Sequence, residues 1–111
     1  MDIARRAIEV ISDAQGVDSV LLDLREVNDL ASFFVVVTAP VDRHIDALSL
    51  EVSKALIDMG ARKHHQEGSS SSGWVLIDFG DVVIHVFSPK VREYYGLEEV
   101  WAEAQVVVRM Q

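Results

Sequence analysis

Residues 73–101 constrain the fold of this chain more than any other stretch. Two β-branched and aromatic runs, 74–79 (Trp-Val-Leu-Ile-Asp-Phe) and 82–87 (Val-Val-Ile-His-Val-Phe), flank a Gly80-Asp81 pair. That composition predicts a two-residue hairpin turn whose first position takes a positive φ. If Phe79 faces Val82, the opposed pairs going outward are Asp78 with Val83, Ile77 with Ile84, Leu76 with His85, Val75 with Val86, and Trp74 with Phe87. Side chains alternate across a strand, so these pairs sort into two faces. One face holds Val75, Ile77, Phe79, Val82, Ile84 and Val86, has no polar member, and belongs on a core. The other holds Trp74, Leu76, Asp78, Val83, His85 and Phe87. Large apolar groups interleaved with one acid and one imidazole make a poor core layer and a suitable docking surface. The competing reading has a helix covering this second face, which leaves Asp78 and His85 as rim residues.

The rest of the chain reads as elements that alternate between helix and strand. Asp2 is placed to cap a first helix in which Ile3, Ala7, Ile8, Ile11 and Ala14 recur at helical spacing before Gln15-Gly16. Residues 20–24 read as a strand with Val20, Leu22 and Leu24 on one side, and 25–32 as a loop. The continuous apolar run 33–38 predicts a second strand buried on both sides, or nearly so. After Pro40, Asp42 is placed to cap the longest helix, whose stripe is Ile45, Leu48, Val52, Ala55, Leu56 and Met59. Asp46, Ser49, Ser53 and Lys54 lie opposite and read as its solvated face. Residues 61–67 predict a polar edge strand, and Gly68 to Gly73 a flexible serine linker between neighbouring strands. Helical turns follow Pro89 over 91–95 and 97–104, and Tyr94, Leu97, Glu98 and Trp101 share a face by spacing. Val106 to Val108 form an apolar tail, either an added edge strand or a dimer contact. The expected fold is α/β: a single compact domain over 1–111, with a mixed β-sheet of about five strands flanked by helices.

Charge and composition narrow the function. Lysine and arginine number 10 against 18 acids, a net charge of −8, which repels phosphate backbones and excludes autonomous nucleic-acid binding through a broad basic surface. The same balance favours a basic protein partner. Hydrophobic residues make up 50% of the chain, a share that suits apolar surface buried in a complex. With no cysteine, disulfides, thiolate metal sites and cysteine nucleophiles are ruled out. The N-terminus lacks a basic region followed by an apolar run, and no segment approaches a membrane span, so a cytoplasmic protein without membrane attachment is expected.

Enzymatic readings fare poorly on the residues. Adjacent His64 and His65 in a strand point to opposite faces and have no third ligand at suitable spacing, so no metal is expected. A nucleotidyltransferase would need paired carboxylates, but Asp78 and Asp81 are three apart across a turn, a poor arrangement for joint magnesium binding. A Ser-His-Asp hydrolase built from the serine run, His85 and Asp78 lacks a Gly-x-Ser-x-Gly elbow. No cofactor is expected. A scaffold that dimerises through its apolar face stands beside the docking reading and is compatible with it.

One resemblance spans nearly the whole chain. Trp74-x-Leu-Ile-Asp78-Phe-Gly80-Asp81-Val-Val-Ile-His85-Val-Phe, followed by Arg92-Glu-Tyr-Tyr95-x-Leu97-Glu98-x-x-Trp101, resembles the ribosomal silencing factor family, RsfS or Iojap. The run from Ser32 to Thr38 and the Arg43-His44 pair add to it, whereas Ala39-Pro40-Val41-Asp42 departs from the glycine and serine usual in the family there. The resemblance implies an outline similar to nucleotidyltransferase folds without their chemistry. It also implies a job: binding the large ribosomal subunit through the fourteenth protein of the large-subunit series, on the intersubunit face, and preventing small-subunit joining so that translation falls when nutrients run short. By the same resemblance Trp74, Tyr95, Leu97 and Glu98 contribute to that contact. Pattern adds Leu76, Asp78, His85 and Trp101 as expected partner-binding residues, with Asp78 and His85 as orienting polar groups.

Overall fold

The computed structural model describes residues 2–27, 31–96 and 105–110. The chain runs α1 (Asp2–Asp13), β1 (Val17–Asp23), β2 (Phe33–Thr38), α2 (Asp42–Asp58), β3 (His65–Ser69), a 3₁₀ turn (Ser70–Ser72), β4 (Trp74–Asp78), β5 (Val82–Phe87), α3 (Pro89–Tyr95) and β6 (Gln105–Met110). The strands form one sheet in the order β3-β4-β5-β2-β1-β6. Only β2 and β5 pair parallel; the other neighbours are antiparallel, so the sheet is mixed. Six strands replace the expected count of about five, because the apolar tail takes the open edge of β1 and its Val107 and Val108 pack on the core. The expected helical turns over 97–104 lie outside the described residues.

The hairpin pairs in the register predicted from Gly80-Asp81: Trp74 opposes Phe87, Leu76 opposes His85, and Asp78 opposes Val83. Gly80 takes a φ of +87°, as the turn requires. Phe79 N–H donates to the Val82 carbonyl at 2.9 Å, closing the turn. Asp81 then ties the hairpin to its neighbour, its carbonyl accepting from the Ser32 and Phe33 amides at 2.9 Å each.

Helices α1 and α2 cover the wholly apolar face. Ala7, Ile8 and Ile11 of α1, with Ile45, Leu48, Val52 and Leu56 of α2, pack on Val35 and Val37 of β2, Val75 and Ile77 of β4, and Ile84 and Val86 of β5. As expected, β2 is buried along almost its whole length. On the opposite face Val20, Leu22 and Leu24 form a second cluster with Val27 and Phe34.

Three expectations are corrected. Asp42 is the first helical residue of α2, not its cap; Val41 holds the cap position and offers no side-chain acceptor. Ser49 and Ser53 do not face solvent but are buried, because the serine segment and β4 fold over that flank of α2. Ser49 Oγ donates back to the Ile45 carbonyl at 2.8 Å, and Ser70 Oγ reaches Asp46 Oδ2 at 3.0 Å from the covering side. The serine run is no flexible linker. Ser69 and Ser72 cap the 3₁₀ turn reciprocally, and Gly73 ends it in the left-handed region with φ +82°. The polar edge strand forms as β3, although it begins only at His65.

One titratable group is buried within the sheet. His85 is 3% exposed, walled by the rings of Phe34 at 4.6 Å, Trp74 at 5.9 Å and Phe87 at 6.0 Å between centroids. Burial away from water pushes its pKa down from 6.5 to about 4, since the imidazolium would be desolvated there.

Two predictions follow from this packing. Replacing fully buried Ile84 by alanine leaves a cavity between the sheet and its helices, and denaturant unfolding should show a loss of about 2–5 kcal/mol. His85 makes stability depend on acid. Above about pH 6.5 it is neutral folded and unfolded and contributes no slope. As pH falls from 6.5 to about 4, the unfolded chain takes up the proton alone and stability drops, by an amount on the order of 3 kcal/mol, levelling below that window. Unfolding free energies measured across this range should lose that component in a His85→Phe variant.

Candidate protein-docking face

The second face of the hairpin is organised around the residue that opens β4. Gly73 turns the chain in the left-handed region, and its carbonyl accepts from Ser88 N–H at 2.8 Å, which sets the start of β4 beside the end of β5. Trp74 therefore faces the same side as Phe87 and His85. Its indole lies 5.0 Å from the Phe87 ring and 4.7 Å from the Tyr95 ring, and its Nε1–H donates to His85 Nδ1 at 3.2 Å.

Tyr95 arrives from α3. Ser88 caps that helix by accepting from Val91 N–H at 3.3 Å, Pro89 occupies its first turn, and Gly96 ends it in the left-handed region. The two helical turns present Tyr94 and Tyr95 side by side, 5.1 Å apart, at 81% and 51% exposure. Between them and the hairpin lies an open hollow of about 530 Å³ whose walls include Trp74, Leu76, Val91, Tyr94 and Tyr95. Its floor is half-buried aromatic surface and its rim is exposed tyrosine, the combination found in hot spots of protein interfaces.

The structure thus gathers Trp74, Leu76 and Tyr95 on one surface and separates two other expected contributors from it. His85 lies beneath that surface, with Nδ1 occupied by the indole and Nε2 sealed from solvent without a hydrogen-bond partner. Asp78 sits at the far end of β4, where Oδ1 accepts from Gly80 N–H at 2.7 Å and Oδ2 lies 3.5 Å from His65 Nδ1; its first task is to hold the turn. Leu97, Glu98 and Trp101 lie outside the described residues. Val91 joins the hollow without having been singled out, although it precedes Tyr95 by one helical turn and that spacing was the available signal.

Among the described residues no three histidine or carboxylate side chains gather as a metal site. His85 Nδ1 meets an indole rather than a serine; the Ser69, Ser71 and Ser72 hydroxyls bond to one another and to backbone, and that of Ser70 to Asp46. No helix among the described residues is long and apolar enough to cross a membrane.

Comparison with known proteins gives this face a context. Residues 1–111 match the family described as ribosomal silencing factor during starvation. The ribosomal silencing factor RsfS of Chromobacterium violaceum is 38% identical over 100 residues, covering 90% of this chain and 82% of that protein. A crystal structure of a protein from the same bacterium superposes with a TM-score of 0.87 at 36% identity, covering 96% of this chain and 91% of that one. A Mus musculus protein named for mitochondrial assembly of the ribosomal large subunit is 32% identical over 72 residues, covering 62% of this chain and 32% of its own length. The full-length match, together with the shared sheet, places the chain in the ribosomal silencing factor family, RsfS or Iojap.

Proposed function

We propose that this protein binds the large ribosomal subunit through the Trp74–Tyr95 face, bars the small subunit from joining, and so lowers translation when nutrients are limiting. The observation that carries the reading is the juxtaposition of Trp74, Leu76, Tyr94 and Tyr95 around one hollow on a chain of net charge −8. Exposed aromatic anchors supply affinity, and the negative field suits a basic ribosomal protein, for which we propose the fourteenth of the large-subunit series. The mouse relative is named for assembly of the ribosomal large subunit, which supports the choice of subunit.

The mechanism is occlusion. A domain of 34 × 32 × 24 Å held on the intersubunit side occupies volume that the small subunit needs. No bond is made or broken, and the protein is a regulator without enzymatic activity, acting in the cytoplasm where ribosomes are. Self-association through the same aromatic face would hide it and set how much free protein is available.

Tyr95→Ala tests the anchor most cleanly, because Tyr95 is half exposed and its removal leaves the core untouched. Trp74→Ala tests the centre of the face. Each should weaken binding to purified large subunits by about 2 kcal/mol or more, roughly 30-fold, with unfolding transitions recorded in parallel. In sucrose gradients the wild type should co-sediment with large subunits and block their joining with added small subunits, and both variants should lose both effects. Failure of the wild type to co-sediment at any salt concentration would sink the proposal.

A further inference from the structure

We infer that His85 is a positioning residue of the docking face: through Nδ1 it holds the Trp74 indole in one orientation, with its N–H turned inward, so that a partner meets only the apolar part of the ring. The inference rests on the reading that this face docks a partner.

An indole has a single hydrogen-bond donor and no acceptor. In Trp74 that donor lies 3.2 Å from His85 Nδ1, which must therefore carry a lone pair. A neutral imidazole with a bare Nδ1 has its proton on Nε2, so the contact selects the tautomer. Burial favours the neutral ring in the same way. The consequence is unusual: Nε2 carries a hydrogen, has no hydrogen-bond partner, and is sealed from solvent. Its surroundings are aromatic, with Phe34 edge-to-face at 4.6 Å and Phe87 stacked at 6.0 Å with planes 9° apart.

Those contacts distinguish positioning from simple packing. Were His85 there only to fill space between Phe34 and Phe87, a phenylalanine would fill it without burying an unpaired N–H. Among the described residues the one polar contact the imidazole makes is with the indole. What that contact adds is orientation. The torsion that swings an indole about its Cβ–Cγ bond is broad and roughly two-fold, so ring contacts with Phe87 and Tyr95 by themselves leave two faces to choose between. Only one choice brings Nε1 to Nδ1. Because Nε2 is sealed, His85 acts on a partner solely through Trp74.

The test combines spectroscopy on the full chain with binding. In wild-type protein, long-range ¹H–¹⁵N correlation should show His85 protonated at Nε2 and bare at Nδ1. The Trp74 indole N–H, assigned against Trp101 with a Trp74→Phe variant, should exchange slowly with solvent. His85→Phe should remain folded, lose that exchange protection, shift the Trp74 signal, and bind large subunits roughly tenfold more weakly. His85→Asn places an amide oxygen where Nδ1 stands and should restore both the protection and the binding, which a packing role would not do, since asparagine fills the site worse than phenylalanine. A proton on Nδ1, or a His85→Phe variant with an unshifted Trp74 signal and wild-type binding, would overturn the inference; the first of these is read on wild-type protein and is independent of how any variant folds. Wild-type binding by Trp74→Ala would instead overturn the docking reading, while the spectra would still decide whether His85 orients the indole.

Discussion

The register of the β4–β5 hairpin is the constraint on which the rest of the structure depends. Its two faces differ completely: one is Val75, Ile77, Phe79, Val82, Ile84 and Val86, the other carries Trp74, Asp78 and His85. A slip of one residue would send the aromatic and polar set under α1 and α2 and the aliphatic set to the opposite side. Gly80 secures the register by accepting a backbone conformation that other residues adopt only with strain, and Asp78 secures Gly80. Both the core and the aromatic face are consequences of one turn.

That coupling explains why the face is aromatic rather than merely apolar. Its residues pack on the back of a sheet whose front already holds the core, and among the described residues no helix lies across the whole of that surface. Rings achieve this by contacting one another: Phe34 with His85, His85 with Trp74, Trp74 with Tyr95, and Tyr95 with Tyr94. From buried His85 to exposed Tyr94 the rings run outward, so the imidazole lies at the covered end and the exposed tyrosines at the open end. Helix α3 supplies the outer members, Tyr94 and Tyr95, and ends at Gly96.

Much of this was legible in the chain. The hairpin pairs follow from counting outward from Gly80-Asp81, the bounds of β2 follow from an uninterrupted apolar run, and the stripe of α2 follows from its period, with Ile45, Leu48, Val52 and Leu56 buried, Ala55 half-buried and Met59, at the cap, exposed. A segment's surroundings are not legible where a distant part of the chain sets them. Ser49 and Ser53 read as solvated because serine is polar, yet the turn from Ser70 to Ser72 covers them from more than a dozen residues away. The serine run itself has the composition of a linker, and only the reciprocal bonds between Ser69 and Ser72 give it shape. Asp78 and His85 read as a pair of orienting groups on one face; the hairpin separates them, one at the turn and one beneath the indole.

By itself the sequence determined the quantities that are local or periodic: the hairpin and its register, the two faces, the acidic character, and the family to which those motifs belong. Alternation and helical period are properties of the backbone, so they can be read along one dimension. Tertiary structure alone decided that the tail would become β6 on the edge of β1, that the serine turn would cover Ser49 and Ser53, and that the Trp74 and Tyr95 rings would meet 4.7 Å apart. It also decided that His85 would be buried with its lone pair toward an indole. Those outcomes depend on which surfaces exclude water from one another, and that is settled only when the whole sheet has assembled.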